Sequence, residues 1–213
     1  MGPPRRQLQS LPGGPPQQGA RAGTVVESAG AGAARSRPGG GGGRGEILPG
    51  FILAIRLLLL TGARKGEILG LTWDMVDLDL GRIRLPDSKT GAKAFPLNQP
   101  AVELLGSVVR RDDQPYVCGG QIPGRPIVGL QKVWGRIRAK AGLEGVRLYD
   151  LRHTFASVGV GSGLGLTLVG GLLGHREPST TARYSHLGDD PLREASNQIG
   201  ARIGKALEGT DPR

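Results

Sequence analysis

The sequence is poor in the residues that build disulfides, metal centres and aromatic stacking surfaces. Cys118 is its only cysteine, so no disulfide can form within the chain, which fits a reducing compartment. The three histidines show no metal-ligand spacing and have no cysteine cluster near them, so we expect no zinc. Aromatic residues make up 4% of the chain, which argues against a protein that stacks unpaired bases on aromatic rings.

Long hydrophobic runs are also missing. The most apolar run, residues 51–60, is too short to span a bilayer and contains Arg56, so it predicts a buried helix. Arg5 and Arg6 near the N-terminus are not followed by an apolar core, so we do not expect a secretory signal. We therefore expect no membrane partner.

Positive charge and glycine are abundant. The 213 residues carry a net charge of +10, which favours an anionic polymer as partner. Residues 1–46 contain 13 Gly and 6 Pro, with six Arg against two Glu. Such a segment cannot bury enough surface to offset its ordering entropy, so we predict a disordered tail that adds only nonspecific attraction to phosphates. Residues 47–213 hold 22 basic against 16 acidic residues and are expected to form one domain.

The pattern of residues 47–213 predicts a mainly α fold with a small antiparallel β-hairpin or sheet, an α+β class. A helix over 48–61 ends at Gly62, and a second runs from near Ala63 to about Leu71. Two strands joined by a turn at Lys89 are predicted at 82–85 and 93–97. Further helices are predicted at 99–109, 129–141, 150–162, 166–174, 179–187 and 191–207.

Three short segments contain side chains suited to phosphodiester chemistry. They are YDLRHTFAS at 149–157, LLGH at 172–175 and ARYSHL at 182–187. A guanidinium can grip phosphate oxygens with its planar fork, an imidazole can donate to the same phosphate, and a phenol can carry a covalent phosphoryl group. Taken singly, each has a structural explanation: a salt-bridged arginine, or a packed histidine or tyrosine.

Two upstream segments change this assessment: LLLTGARKGEILGLTW at 58–73 and DSKTG at 87–91. In chain order, a set of five residues resembles the catalytic set of the tyrosine recombinases, or phage-type integrases: Arg64, Lys89, Arg152, His175 and Tyr184. The resemblance runs from about 51 to about 207. It implies the catalytic-domain fold of that family, and DNA strand cleavage and rejoining without metal, ATP or other cofactor.

The resemblance also implies a role for each residue. Tyr184 would attack the scissile phosphate and form a 3′-phosphotyrosyl link. Arg64 and Arg152 would stabilise the charge on the nonbridging oxygens, and Lys89 would protonate the leaving 5′-oxygen. His175, nine residues before Tyr184 as in the family, would hydrogen-bond the phosphate.

Tyr149 stands three residues before Arg152, where the family usually carries His or Lys. A neutral tyrosine, with an ordinary pKa of about 10, is a poor proton acceptor at neutral pH, so we expect a slowed enzyme rather than an inactive one. Glu67 is expected to orient the site through an ion pair with Arg64. His153 and His186 are interpreted as structural.

Two further departures from the family pattern concern the tail and the helices. Residues 1–46 do not resemble the N-terminal helical DNA-binding domain of the family, and Gly159, Gly161 and Gly171 lie inside predicted helices, each costing about 1 kcal/mol relative to alanine. They predict a truncated integrase of marginal stability.

The implied partners are double-stranded DNA and further copies of the chain, as a tetramer on DNA, in a bacterial or phage-derived cytoplasmic setting. One side of the last helix carries an apolar stripe that could pack on the chain's own core or on a neighbouring protomer: Leu192, Ala195, Ile199, Ile203 and Leu207.

Three alternatives to a recombinase stay open. A non-catalytic remnant of an integrase would still bind DNA through Arg64 and Arg152, and Tyr184→Phe would then change no activity. A basic nucleic-acid-binding protein unrelated to recombinases is disfavoured by the scarcity of aromatic residues. A topoisomerase-like activity shares the covalent chemistry and differs in which strand resolves the intermediate.

Overall fold

The computed structural model describes residues 47–86, 91–174 and 189–208. The predicted tail, the turn with Lys89 and the predicted helix at 179–187 lie outside these residues. Within them, α1 spans Pro49–Thr61, α2 Lys65–Leu69, α3 Gln99–Gly106, α4 Leu130–Lys140, α5 Asp150–Gly161, α6 Leu166–Leu173 and α7 Asp189–Glu208. The strands are β1 Val76–Asp77, β2 Arg82–Leu85 and β3 Lys93–Pro96.

Helix α1 is the centre of the core. Pro49 opens it, where a missing N–H costs nothing, and Gly62 closes it in the left-handed conformation with φ 62°. Leu57 and Leu59 are fully buried although they lie on different sides of the helix, because α3, α5 and α7 all pack against α1. The prediction of a buried helix over 51–60 is confirmed.

The strands form one antiparallel sheet in the order β1-β2-β3 within the described residues. Ile83 lies opposite Phe95, and Leu85 opposite Lys93. Ile83, Leu85 and Phe95 are buried, so one face of the sheet packs on the core. The α+β class is confirmed. The short strand β1 was not predicted, because two residues show no periodicity.

Helix α7 packs on the chain's own core. Ala195, Ile199 and Ile203 are buried, and the helix contacts α1, α3, α5 and α6. Asn98, the N-cap of α3, accepts from the Ala101 N–H and donates to the Leu60 carbonyl, which fixes α3 to the end of α1. Of the two alternatives for the apolar stripe, packing within the chain is the one observed. No helix of the described residues combines the length and apolar character needed to cross a membrane.

Gly159 has a packing reason that its sequence context did not reveal. A Cβ at this position would lie 2.9 Å from Ile199 Cδ1 and 3.0 Å from Val169 Cγ2, so the glycine lets α7 and α6 approach α5 closely. A Cβ at Gly161 would meet nothing within 4 Å, and one at Gly171 would make an ordinary contact with Leu192. The expected helix-propensity cost therefore applies to Gly161 and Gly171, whereas at Gly159 alanine would create overlap.

Candidate active site

Arg64 is placed by the junction between α1 and α2. The chain reverses at Gly62, and Arg64 becomes the N-cap residue of α2. Its backbone N–H donates to Glu67 Oε2 at 2.8 Å, and its Nη1 donates to Glu67 Oε1 at 3.0 Å. The ion pair predicted between these residues is confirmed, and it fixes the guanidinium at the start of the helix.

Arg152, in the first turn of α5, is buried with 5% of its surface exposed. Its Nη1 donates to the Gly62 carbonyl at 2.7 Å and its Nη2 to the Leu173 carbonyl at 2.6 Å. Burial lowers the pKa of Arg152, and the nearby charge of Arg64 lowers it further. The side chain therefore links the end of α1, two residues before Arg64, to the end of α6, two residues before His175.

Lys93 joins this cluster, although it was not among the predicted site residues. Its Nζ lies 2.7 Å from Glu67 Oε1 and 5.2 Å from the centre of the Phe95 ring. The available signal was the strand alternation: Lys93 and Phe95 are two residues apart in β3, so they share a face, and Phe95 belongs to the core. A lysine on the buried face of a strand needs an anionic partner, which Glu67 provides.

Burial and neighbouring charges shift the pKa values of Glu67 and Lys93. Burial opposes ionisation of Glu67, but the hydrogen bond from Lys93 and the contacts with Arg64 outweigh it and lower the pKa of this carboxyl. Burial lowers the pKa of Lys93 against the raising effect of Glu67, and Arg64 and Arg152 lower it further. Arg64 and Lys93 therefore share the Glu67 carboxylate, and with Arg152 nearby the cluster has an excess of positive charge that favours an anion in the adjoining space.

Tyr149 precedes α5 and lies at the rim of the site. It is 57% exposed, and its ring packs edge-on against the ring of His153, with centroids 4.8 Å apart. Its side chain lines the same pocket as that of Arg152. The phenol is therefore next to the buried guanidinium and open to solvent. His153 is exposed and flanks the site.

A pocket of about 260 Å³ opens between these groups. It is lined by Leu58, Ala63, Arg64, Lys65, Gln131, Leu148, Tyr149 and Arg152. The volume is several times the ≈ 30 Å³ that one water occupies in the liquid, which leaves room for a group of phosphate size. Two arginines, a lysine, an amide and a phenol around one pocket offer donors to phosphate oxygens.

Three of the six predicted site residues, Arg64, Tyr149 and Arg152, are brought together by the structure. Lys89, His175 and Tyr184 lie outside the described residues. No group of three or more His, Cys, Asp or Glu side chains within 47–86, 91–174 and 189–208 could hold a metal ion.

Comparison with known proteins gives consistent matches. Residues 52–190 match the sequence model of the phage integrase family. Tyrosine recombinase XerA of Saccharolobus solfataricus is 31% identical over 141 residues, covering 66% of this chain and 47% of the relative. Tyrosine recombinase XerD of Yersinia pestis is 30% identical over 156 residues, covering 68% and 52%. The chain thus spans about half the length of these curated relatives.

A solved structure agrees with the sequence matches. The crystal structure of XerA recombinase superposes with a TM-score of 0.54 and 25% sequence identity, covering 84% of this chain and 63% of that chain. The family match extends over most of the residues that form the core and the pocket. The chain therefore belongs to the phage integrase family of tyrosine recombinases, and its fold is that of their catalytic domain.

Proposed function

We propose that the protein performs site-specific DNA recombination by cleaving and rejoining DNA strands through a tyrosine nucleophile. The observation that carries this proposal is the meeting of Arg64 and Arg152 at one pocket of net positive charge. The relatives named as tyrosine recombinases support it. Double-stranded DNA is the proposed substrate, because the chain is basic overall and the pocket suits a phosphodiester.

In the proposed reaction, the Tyr184 hydroxyl gives up its proton to water, because the neutral phenol of Tyr149 is a poor acceptor, and its oxygen attacks the scissile phosphorus while the bond from phosphorus to the 5′-oxygen breaks. The phosphate becomes a 3′-phosphotyrosyl ester, and the leaving 5′-oxygen takes a proton from Lys89. A 5′-hydroxyl from another strand then attacks the ester and releases Tyr184. Phosphodiester bonds are exchanged rather than hydrolysed, so no external energy source is required.

Arg64 and Arg152 stabilise the transition state, in which charge accumulates on the nonbridging oxygens. Both are fixed before the substrate arrives, Arg64 by Glu67 and Arg152 by two carbonyls, so little reorganisation accompanies the reaction. His175 donates a further hydrogen bond to the phosphate in this proposal. Each donor contributes roughly a hundred- to a thousandfold in rate, as for other preorganised donors.

We further propose that the chain acts on DNA as a homo-oligomer in the cytoplasm. Each protomer contributes one Tyr184 and therefore cleaves one strand at a time, so exchange between two duplexes requires several copies. Residues 47–213 form the catalytic domain, and residues 1–46 contribute at most nonspecific attraction to the DNA backbone.

Tyr184→Phe is expected to abolish a covalent protein–DNA adduct, because phenylalanine has no nucleophilic oxygen. The measurement uses nicked suicide duplexes, which release the 5′ fragment after cleavage and trap the adduct for a denaturing gel. Tyr116→Phe is the matched control, because this half-buried tyrosine does not line the pocket, and it is expected to form the adduct normally. If the wild-type protein binds DNA but forms no adduct, the proposal is wrong and the chain is a non-catalytic DNA-binding protein.

Tyr149→His is expected to raise the rate of cleavage by up to about a hundredfold, because an imidazole at the pocket rim accepts a proton near neutral pH and a neutral phenol does not. The measurement is the single-turnover rate of adduct formation with saturating duplex. His153→Gln serves as the comparison, since it removes the neighbouring ring without changing the rim position itself. An unchanged or lower rate in Tyr149→His would contradict the assignment of this position to proton transfer.

A further inference from the structure

We propose that Lys93 is a positioning residue for DNA cleavage, which neutralises Glu67 so that the guanidinium of Arg64 stays available to the phosphate. The inference rests on the proposed function of the site, and it concerns a residue outside the predicted catalytic set. Its basis is a carboxylate shared between two cations at the side of the pocket.

Both oxygens of Glu67 are occupied. Oε2 accepts the backbone N–H of Arg64 at 2.8 Å, and Oε1 lies 3.0 Å from Arg64 Nη1 and 2.7 Å from Lys93 Nζ. The Glu67 side chain is only 8% exposed, so water contributes little to its solvation. The shorter of the two contacts to Oε1 is that of Lys93, which therefore provides a large part of the counter-charge.

The charge balance explains why Lys93 matters for Arg64. With Lys93 in place, the four groups Arg64, Arg152, Lys93 and Glu67 sum to two positive charges at the pocket. Without it the sum is one, and Glu67 has Arg64 as its remaining close cation. In a partly desolvated site the Arg64–Glu67 ion pair becomes stronger, so the Arg64 guanidinium is less available to a phosphate oxygen.

Lys93 is placed to act through Glu67 rather than on DNA. Its side chain is 16% exposed, its Nζ is held between Glu67 and the Phe95 ring, and it is not among the residues lining the pocket. Strand β3 also fixes its backbone, through pairing of Lys93 with Leu85. These contacts separate Lys93 from the proton-donating role proposed for Lys89.

The test compares single-turnover cleavage of a nicked suicide duplex by Lys93→Met, Lys93→Arg, Glu67→Gln and the double variant Lys93→Met/Glu67→Gln. Lys93→Met is expected to lower the cleavage rate about ten- to a hundredfold, the range for one charge-assisted hydrogen bond. The half-saturating DNA concentration is expected to change little, because the other phosphate contacts of the duplex dominate its affinity. Lys93→Arg keeps the charge and stays within a few-fold of wild type. Arg84→Met is the control, because this exposed strand residue pairs with Asp77 away from the pocket.

The double variant is the decisive comparison. Because Glu67→Gln removes the charge that Lys93 neutralises, the double variant is expected to cleave faster than Lys93→Met and within a few-fold of Glu67→Gln. A role in packing alone predicts the opposite, with the double variant no faster than Lys93→Met, and that result would overturn the inference. If Lys93→Met fails to fold, the cleavage rates of Glu67→Gln and of the double variant still test the inference. A large difference between these two rates would count against a positioning role of Lys93.

A substrate with sulfur at the bridging 5′ position separates Lys93 from a proton donor. A thiolate leaves without protonation, since thiols have pKa values near 8.5, so this substrate is expected to rescue Lys89→Met and not Lys93→Met. Rescue of Lys93→Met would assign it to the leaving group and overturn the positioning role.

The inference about Lys93 can be tested even if the wild-type protein does not cleave DNA. Inorganic phosphate can be titrated against isotope-labelled protein, with the side-chain Nε–H signal of Arg64 as the readout. Weaker phosphate binding in Lys93→Met, recovered in the double variant, is expected whether or not the wild type forms a DNA adduct. Equal phosphate binding by wild type and Lys93→Met would overturn the inference, while an absent adduct in the wild type counts only against the proposed function.

Discussion

Arg152→Lys is expected to lower the free energy of unfolding by about 1–3 kcal/mol, the cost of leaving one buried carbonyl without a donor. Two nitrogens of the Arg152 guanidinium bind the carbonyls of Gly62 and Leu173 at 2.7 and 2.6 Å. A single ammonium on a flexible chain cannot reproduce this fork. The same change is expected to reduce DNA cleavage by about a hundred- to a thousandfold, because the phosphate loses a preorganised donor.

The measurements are chemical denaturation for stability and single-turnover adduct formation for cleavage. Arg138→Lys is a matched control, since Arg138 Nη1 also donates to a carbonyl, that of Val146, at 3.1 Å. Trp134 Nε1 donates to the same carbonyl, so it keeps a partner in the control variant. Equal loss of stability in the two variants would contradict the assignment of Arg152 as the link between α1 and α6.

Gly62→Ala is expected to destabilise the protein by about 2–5 kcal/mol, from left-handed strain of about 1–2 and overpacking of about 1–3. Gly62 has φ 62°, and a Cβ there would lie 2.7 Å from Phe155 Cδ1 and 2.8 Å from Leu173 Cδ2. Its carbonyl also accepts from Arg152, so displacement of Gly62 disturbs the site directly. Loss of DNA cleavage is therefore expected even where the variant remains folded.

Gly142→Ala separates the cost of left-handed strain from the cost of overpacking. Gly142 has φ 63°, but a Cβ there would meet nothing within 4 Å, so the variant suffers the left-handed strain without the overlap. Its loss of stability, measured by the same denaturation, should be about 1–2 kcal/mol, and its cleavage rate should be unchanged. If the free energy of unfolding of Gly62→Ala were no lower than that of Gly142→Ala, overpacking against Phe155 and Leu173 would not contribute to the effect of Gly62→Ala.

The fold could be predicted from sequence wherever a periodic apolar pattern was long or a stop residue was clear. Helix α1 has both an apolar run and Gly62, and the prediction was within one residue of Pro49–Thr61. Helix α2 begins at Lys65 rather than near Ala63, because Ala63 and Arg64 are used in the turn after Gly62. The predicted helix over 99–109 ends at Gly106, where Gly106 and Ser107 weaken continuation.

The site was predictable in part, because family-like motifs indicate residue types and order but not the contacts between them. Arg64, Tyr149 and Arg152 line one pocket. The contacts that hold them depend on backbone carbonyls and a strand lysine, and neither carries a motif: Arg152 binds carbonyls 90 and 21 residues away, and Lys93 pairs with Glu67 across the fold. The catalytic roles of all six residues remain predictions, and Lys89, His175 and Tyr184 also lie outside the described residues.

The central claim is that Tyr184 is the nucleophile of a DNA-cleaving site built on Arg64 and Arg152. The most direct measurement is to trap the adduct on a suicide duplex, trim the DNA with nuclease, digest with trypsin and locate the residual nucleotide by mass spectrometry. Arg183 and Arg193 bound a tryptic peptide with Tyr184, while Arg147 and Arg152 bound one with Tyr149. The account predicts the nucleotide on residues 184–193. A nucleotide on residues 148–152, or on the peptide containing Tyr116, would contradict it.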